Sequence, residues 1–254
     1  MNHLRELIET PNEQILIHSD VTRTNKEIND AMYHYKTVAS RAICFDIGPI
    51  TGMIGLTPIP ELCKFPFREC WFEMGVVTDT GKPATAAVLC ISEGGQFVGV
   101  AFLRSRPNEW SVIGSMRCDD LTDPNGGYSV MGPSEMYDPL SDAVQATMRF
   151  LSAMNCTNVH RQEHKPDTAL QKARAKRGKQ PLFSYWTLEL NGRDGGAAQS
   201  FGGTHASPRV HLRRGHPRQY APGKWTWVQP HAVGNRELGM VHKDYVIGKE
   251  MVVH

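Results

Sequence analysis

The sequence predicts an α+β fold: an antiparallel β-meander with packed helices, followed by a basic C-terminal β-rich region. Three observations carry this. Four apolar runs, 70–78, 84–92, 96–104 and 110–117, are separated by DTGKP, EGG and SRPNE, which is turn chemistry, so they read as successive antiparallel strands. Two segments, 24–39 and 142–154, carry apolar residues at helical spacing and can pack on that sheet. The charge also changes sign along the chain: residues 1–159 hold 12 Lys/Arg against 19 Asp/Glu, whereas residues 160–224 hold 13 against 4. The expected organisation is an acidic α+β region over 1–159 and a basic His/Arg-rich β region over 160–254. The two can also form one continuous domain.

Each element has its own local reason. HLRELIE (3–9) can form a short helix that ends before Pro11. Thr24 can cap the next helix, with Glu27 three residues on as the partner of a capping box, and Ile28, Ala31, Met32, Tyr35 and Val38 make its apolar stripe. Residues 43–68 are rich in Gly and Pro and read as loop or short extended pieces; 119–139 reads as loop. Ser141 is the expected cap of the 142–154 helix, whose core face holds Ala143, Ala146, Phe150 and Ala153. Asp167 or Thr168 can start a short helix through ALQKARAKRG, with Lys172, Arg174, Lys176 and Arg177 exposed and Gly178 just past its end. PLFSYWTLEL alternates as a strand, and 191–208 is a Gly-rich connection. Three strands are expected after it, over 210–219, 225–230 and 240–247, with APGK and GNRELG as turns.

With 254 residues the chain can bury a core without staples, and 40% hydrophobic with 21% charged residues is ordinary for a globular protein. Its six cysteines form no C-x-x-C pair and read as buried reduced thiols. The polar, amphipathic N-terminal stretch does not read as a secretory signal, and no apolar run approaches the ~20 residues that span a bilayer. No cofactor or metal is expected: there is no H-E-x-x-H, and the histidines lack acidic or thiol partners at ligand spacing. Glu69, Glu73 and Asp79 make no convincing carboxylate pair. Phosphate-binding P-loop and G-x-S-x-G motifs do not occur.

Chemistry-bearing residues concentrate between 208 and 245, which holds five arginines and four histidines. In HLRRGH, strand alternation puts His211 and Arg213 on one face and Arg214 and His216 on the other. A bulge at Gly215 would let them converge. Two imidazoles beside guanidinium groups suit metal-free phosphodiester cleavage, with His211 and His216 as acid and base and Arg213 or Arg214 steadying the transition state. The same residues can also simply hold phosphate, or be polar groups on an exposed hairpin. Arg209, Arg218 and Lys224 add charge, while Tyr220 and Trp225 can stack on bases, although tryptophans two residues apart are also ordinary core. Lys176, Arg177 and Lys179 extend the basic set, as phosphate contacts, a partner-docking face or a solvated surface.

The strings KARAKRGKQPLFSYWTLEL, GGTHASPRVHLRRGHPRQY, GKWTWVQPHAVGN and GMVHKDYVI resemble a family of hypothetical proteins of tailed bacteriophages and prophages, over about residues 165–247. The resemblance implies a viral protein acting in the host bacterial cytoplasm and transfers no activity. The small basic sheet is also similar in outline to endoribonuclease toxins of the RelE type, without a motif match. The leading expectation is therefore a phage nucleic-acid-binding protein, RNA foremost, with metal-independent ribonuclease action as its enzymatic version. The alternative is a host-takeover protein that binds and inhibits a bacterial enzyme or defence factor, through the acidic front or the 119–139 loop. A virion structural role is a third option.

Overall fold

The computed structural model describes residues 3–18, 24–49, 58–78, 80–93, 96–119, 128–179, 181–190, 209–213, 215–229, 231–233 and 235–240. In chain order the elements are α1 (Leu4–Glu9), β1 (Leu16–Ile17), α2 (Asn25–Ala39), β2 (Ile43–Pro49), β3 (Glu69–Val77), β4 (Pro83–Glu93), β5 (Gln96–Arg106), β6 (Glu109–Cys118), β7 (Tyr128–Met131), α3 (Tyr137–Met154), β8 (Val159–His164), α4 (Thr168–Lys176) and β9 (Tyr185–Leu190). Five short strands follow: β10 (Arg209–Arg213), β11 (His216–Ala221), β12 (Lys224–Val228), β13 (His231–Val233) and β14 (Asn235–Met240).

The expected meander, β3 to β6, forms the middle of a nine-stranded sheet ordered β1-β6-β5-β4-β3-β2-β9-β8, with β7 also paired to β6. The sheet is mostly antiparallel; β1 runs parallel to β6, and β2 runs parallel to both β3 and β9. Helices cover both faces, so the central strands are apolar on both sides. Along β3, Cys70, Phe72 and Met74 face α3, where they meet Leu140, Ala143, Phe150 and Leu151. Phe45 stacks on Phe72 at 5.1 Å between ring centres, and Phe150 meets Phe72 edge-on at 5.9 Å. The intervening Trp71 faces the other way, into a cluster with Leu4 and Leu7 of α1 and Met32, Val38 and Ala39 of α2.

Two carboxylates pin α1 to this second face. Glu73, 4% exposed, accepts hydrogen bonds at Oε1 from the Leu4 amide (2.9 Å), the His3 amide (2.5 Å) and Trp71 Nε1 (3.0 Å). It thereby serves amides that the start of a helix leaves without partners. Burial pushes the Glu73 carboxyl up to about 7, even though these donors pull it down. Glu6 reaches across to the β5–β6 turn and is bound by Arg104, the Asn108 amide and Trp110 Nε1.

The capping box of α2 forms as expected, with Thr24 Oγ1 accepting from the Glu27 amide and Glu27 accepting from the Thr24 amide. Elsewhere the structure corrects the sequence reading. Residues 43–49, read only as loop or a short extended piece, are β2, which lies inside the sheet. Helix α3 starts at Tyr137 rather than Asp142, and Ser141 lies inside it; Pro139 falls in the first turn, where its missing amide costs no helical bond. Residues 159–164 form a strand that the sequence reading missed, and it pairs antiparallel with β9.

The expected single strand over 210–219 is two strands in different sheets. β10 lies between β13 and β14, while β11 pairs with β12 in a separate hairpin. β10 ends at Arg213 and β11 begins at His216, followed by Pro217, which has no amide to donate to a continuing ladder. GNRELG is not a turn: Asn235–Met240 is β14, parallel to β10. The strand expected at 240–247 lies outside the described residues beyond Met240.

Candidate interaction surface

Helix α4 joins β8 to β9 and is built unlike the other helices: none of its residues is buried. A helix of nine residues is too short to be stable alone in water, where roughly 12–15 residues are the margin. Three local devices hold it. Asp167 Oδ1 accepts from the Leu170 amide at 2.8 Å and caps the start. At the end, the Gly178 amide donates to the Ala175 carbonyl (3.0 Å) and the Lys179 amide to the Arg174 carbonyl (3.1 Å). This closure needs the left-handed backbone that Gly178 supplies at φ 64°. In the middle, Gln171 substitutes for a strand partner: its Nε2 donates to the Leu182 carbonyl (2.8 Å) and its Oε1 accepts from the Leu182 amide (2.9 Å).

The helix so fixed presents charge. Lys172, Arg174, Lys176, Arg177 and Lys179 follow one another with no acidic residue among them. Between α4 and the segment after it lies an open groove of about 440 Å³, lined by Gln171, Lys172, Ala175, Lys179 and Pro181. Leu170 is 49% exposed beside it in sequence. Cations on the last turn also complement the helix dipole, so part of this pattern is structural.

The C-terminal hairpin β11–β12 turns at Pro222 and Gly223, as the APGK signal predicts. Asn158 fastens it to the body: its Nδ2 donates to the Trp227 carbonyl (2.9 Å) and its Oδ1 accepts from the Trp227 amide (2.7 Å). The Thr157 amide and hydroxyl both donate to the Trp225 carbonyl. Trp225 and Trp227 pack against Leu62, Cys156 and Val159, so Trp225 is a packing residue rather than an open platform for bases. Arg218, Tyr220 and Lys224 are exposed on this hairpin.

The residues expected to bind together lie on separate elements. The hairpin set (Arg218, Tyr220, Lys224) attaches at the Val159 end of β8, and the helical set (Lys176, Arg177, Lys179) follows from the His164 end. The six residues of β8 put about 17 Å between those ends at ~3.4 Å per residue. Arg209, His211 and Arg213 lie on β10, with His211 in register with Val233, and Arg214 lies outside the described residues. His216 belongs to the hairpin, where it is in register with Val228, so His211 and His216 sit in different sheets. Of the 119–139 loop, residues 128–131 are β7 and part of the main sheet; 120–127 lie outside the described residues.

Groups that ordinarily do chemistry serve packing here. All six cysteines are free and buried. Burial pushes the Cys70 thiol up to about 12 and that of Cys156 to about 11, far from the thiolate range. Among the described residues, no three His, Cys, Asp or Glu side chains gather in a metal-holding cluster, and no helix is long and apolar enough to cross a membrane. Gln171 and Asn158 were not legible as anchors in the sequence, because a side-chain amide bonding a distant backbone leaves no local signature.

Residues 13–235 match the family described as AcrVA2-like, the anti-CRISPR type V subtype A2 family. No curated protein and no solved structure matches the chain significantly. The match runs from before β1 to the first residue of β14, and the chain belongs to this family, which phages and prophages carry. Membership overturns the leading expectation of an RNA-binding protein or ribonuclease built on His211, His216, Arg213 and Arg214. The alternative, an inhibitor of a host defence factor, takes its place. The physical reason the first reading misled is plain: arginine and lysine complement carboxylates as well as phosphates, so local charge does not name the partner.

Proposed function

We propose that this member of the anti-CRISPR type V subtype A2 family is made inside a bacterium from a phage or prophage gene and disarms a type V CRISPR system by binding its Cas12a effector protein. The observation that carries the reading is the family match over residues 13–235, which takes in the nine-stranded sheet and the α2, α3 and α4 helices. A protein that works by docking fits this arrangement: buried thiols and a buried carboxylate lie in the core, while Lys172 and Lys176 of α4 and Arg218 and Lys224 of the β11–β12 hairpin are exposed. The test is phage plaquing on a host with an active, targeting type V system, with and without the chain. Restored plaquing supports the reading, and full immunity in the presence of well-expressed chain overturns it.

A further inference from the structure

We infer that the groove beside α4 is the docking site for an acidic segment of the protein partner, a short stretch of Asp or Glu side chains whose carboxylates meet Lys172 and Lys179. The inference rests on the function proposed above and gives it a surface. Its first support is that α4 is fastened by hydrogen bonds at its start, middle and end while none of its residues is fully buried. Asp167, Gly178 and the Gln171–Leu182 hydrogen bonds fix a helix that contributes no residue to any core. The core clusters on both faces of the sheet are built without any α4 residue, so a fixed, exposed helix is suited to presenting side chains.

The second support is charge complementarity. Five cations lie within residues 172–179, two of them at the groove, and the acid nearest in sequence, Asp167, is used as the helix cap. The groove combines these lysines with Ala175 and Pro181, so a carboxylate can reach an ammonium group while its methylenes rest on small apolar side chains. Nucleic acid fits less well. The nine residues of α4 extend only about 14 Å, at ~1.5 Å per residue, a span that suits a short peptide segment better than a long backbone of phosphates. The nearest stacked aromatic pair, His164 with Tyr185, has its rings against each other at 4.8 Å.

The experiment uses the full chain and purified Cas12a in nuclease-treated solution, comparing wild type with K172E/K179E and K172A/K179A. These side chains are exposed, so all three proteins should melt together. The expected result is wild-type binding that weakens with salt, a loss of about tenfold or more in K172A/K179A, and a greater loss in K172E/K179E. Equal binding by all three overturns the groove as the dock and leaves the inhibitory function standing. Binding that nuclease abolishes shows a nucleic-acid bridge and overturns the inference. Absence of wild-type binding, together with failure in the plaquing assay, overturns the functional reading as well.

Discussion

Glu6 and Arg104 join α1 to the meander through two hydrogen bonds, Arg104 Nε to Oε1 at 2.7 Å and Arg104 Nη2 to Oε2 at 2.8 Å. The Asn108 amide adds a third at 2.7 Å and Trp110 Nε1 a fourth at 3.2 Å. Burial by itself would raise the Glu6 carboxyl, but the Arg104 guanidinium and the Asn108 amide outweigh it and hold the group below its ordinary range. A lowered folded value means that the unfolded chain takes up the proton first. Its stabilisation is therefore present above about pH 4.5 and is lost as pH falls through the folded value. Glu6→Ala should cost about 2 kcal/mol at pH 7 by urea denaturation, because it strands a half-buried guanidinium. The deficit should shrink on acidification, when the wild type loses the same interaction.

Glu73 has the opposite sign. Its carboxyl stands near 7 in the fold against 4.5 unfolded, so the native state holds the extra proton between those values. Its contribution is full below pH 4.5 and fades as pH rises through 7. Glu73→Gln keeps an acceptor for the Leu4 amide without the titration. Between pH 5 and 8 its stability should fall less than that of the wild type, by up to about 3 kcal/mol across the window. Parallel stability curves for the two proteins would refute the assignment.

Asn158→Ala should release the β11–β12 hairpin. It removes both side-chain bonds to the Trp227 backbone, worth about 1–3 kcal/mol together. Hydrogen exchange should quicken over residues 216–228 while β3 to β6 stay protected. Uniform loss of protection would mean that the hairpin and the sheet open as one unit.

The six cysteines should resist alkylation in the folded protein at pH 8 and all react in denaturant, since each is buried and those at positions 63, 70, 90 and 156 are pushed above their ordinary value. Rapid labelling of any native thiol, counted by mass spectrometry, would contradict this.

What was legible in the sequence had local causes. The meander was readable because turn chemistry punctuates its apolar runs, and α2 because Thr24 and Glu27 form a box within four residues. β2 was not, because a short strand between two parallel neighbours is apolar on both faces and shows no alternation, and its Gly48–Pro49 end imitates a loop. β8 was hidden for the reverse reason: VHRQEH lies at the end of the sheet and carries polar side chains. The charged helix α4 and its Gly178 terminus were readable, whereas its partner was not, since cations alone do not distinguish carboxylate from phosphate.

The parallel pairing of β2 with β9, which sets Phe45 beside Trp186, fixes a timetable for the newborn chain. The ribosome delivers about 5–20 residues each second, so β2 waits on the order of ten seconds for the strand that completes its pairing. Until then the apolar edge of β2 is open to wrong partners, and closure across so long a separation is intrinsically slow. Maturation of the protein is therefore set by the arrival of residues 185–190, and truncations ending before β9 should be captured by chaperones or aggregate, even though the whole β3–β6 meander has already been made.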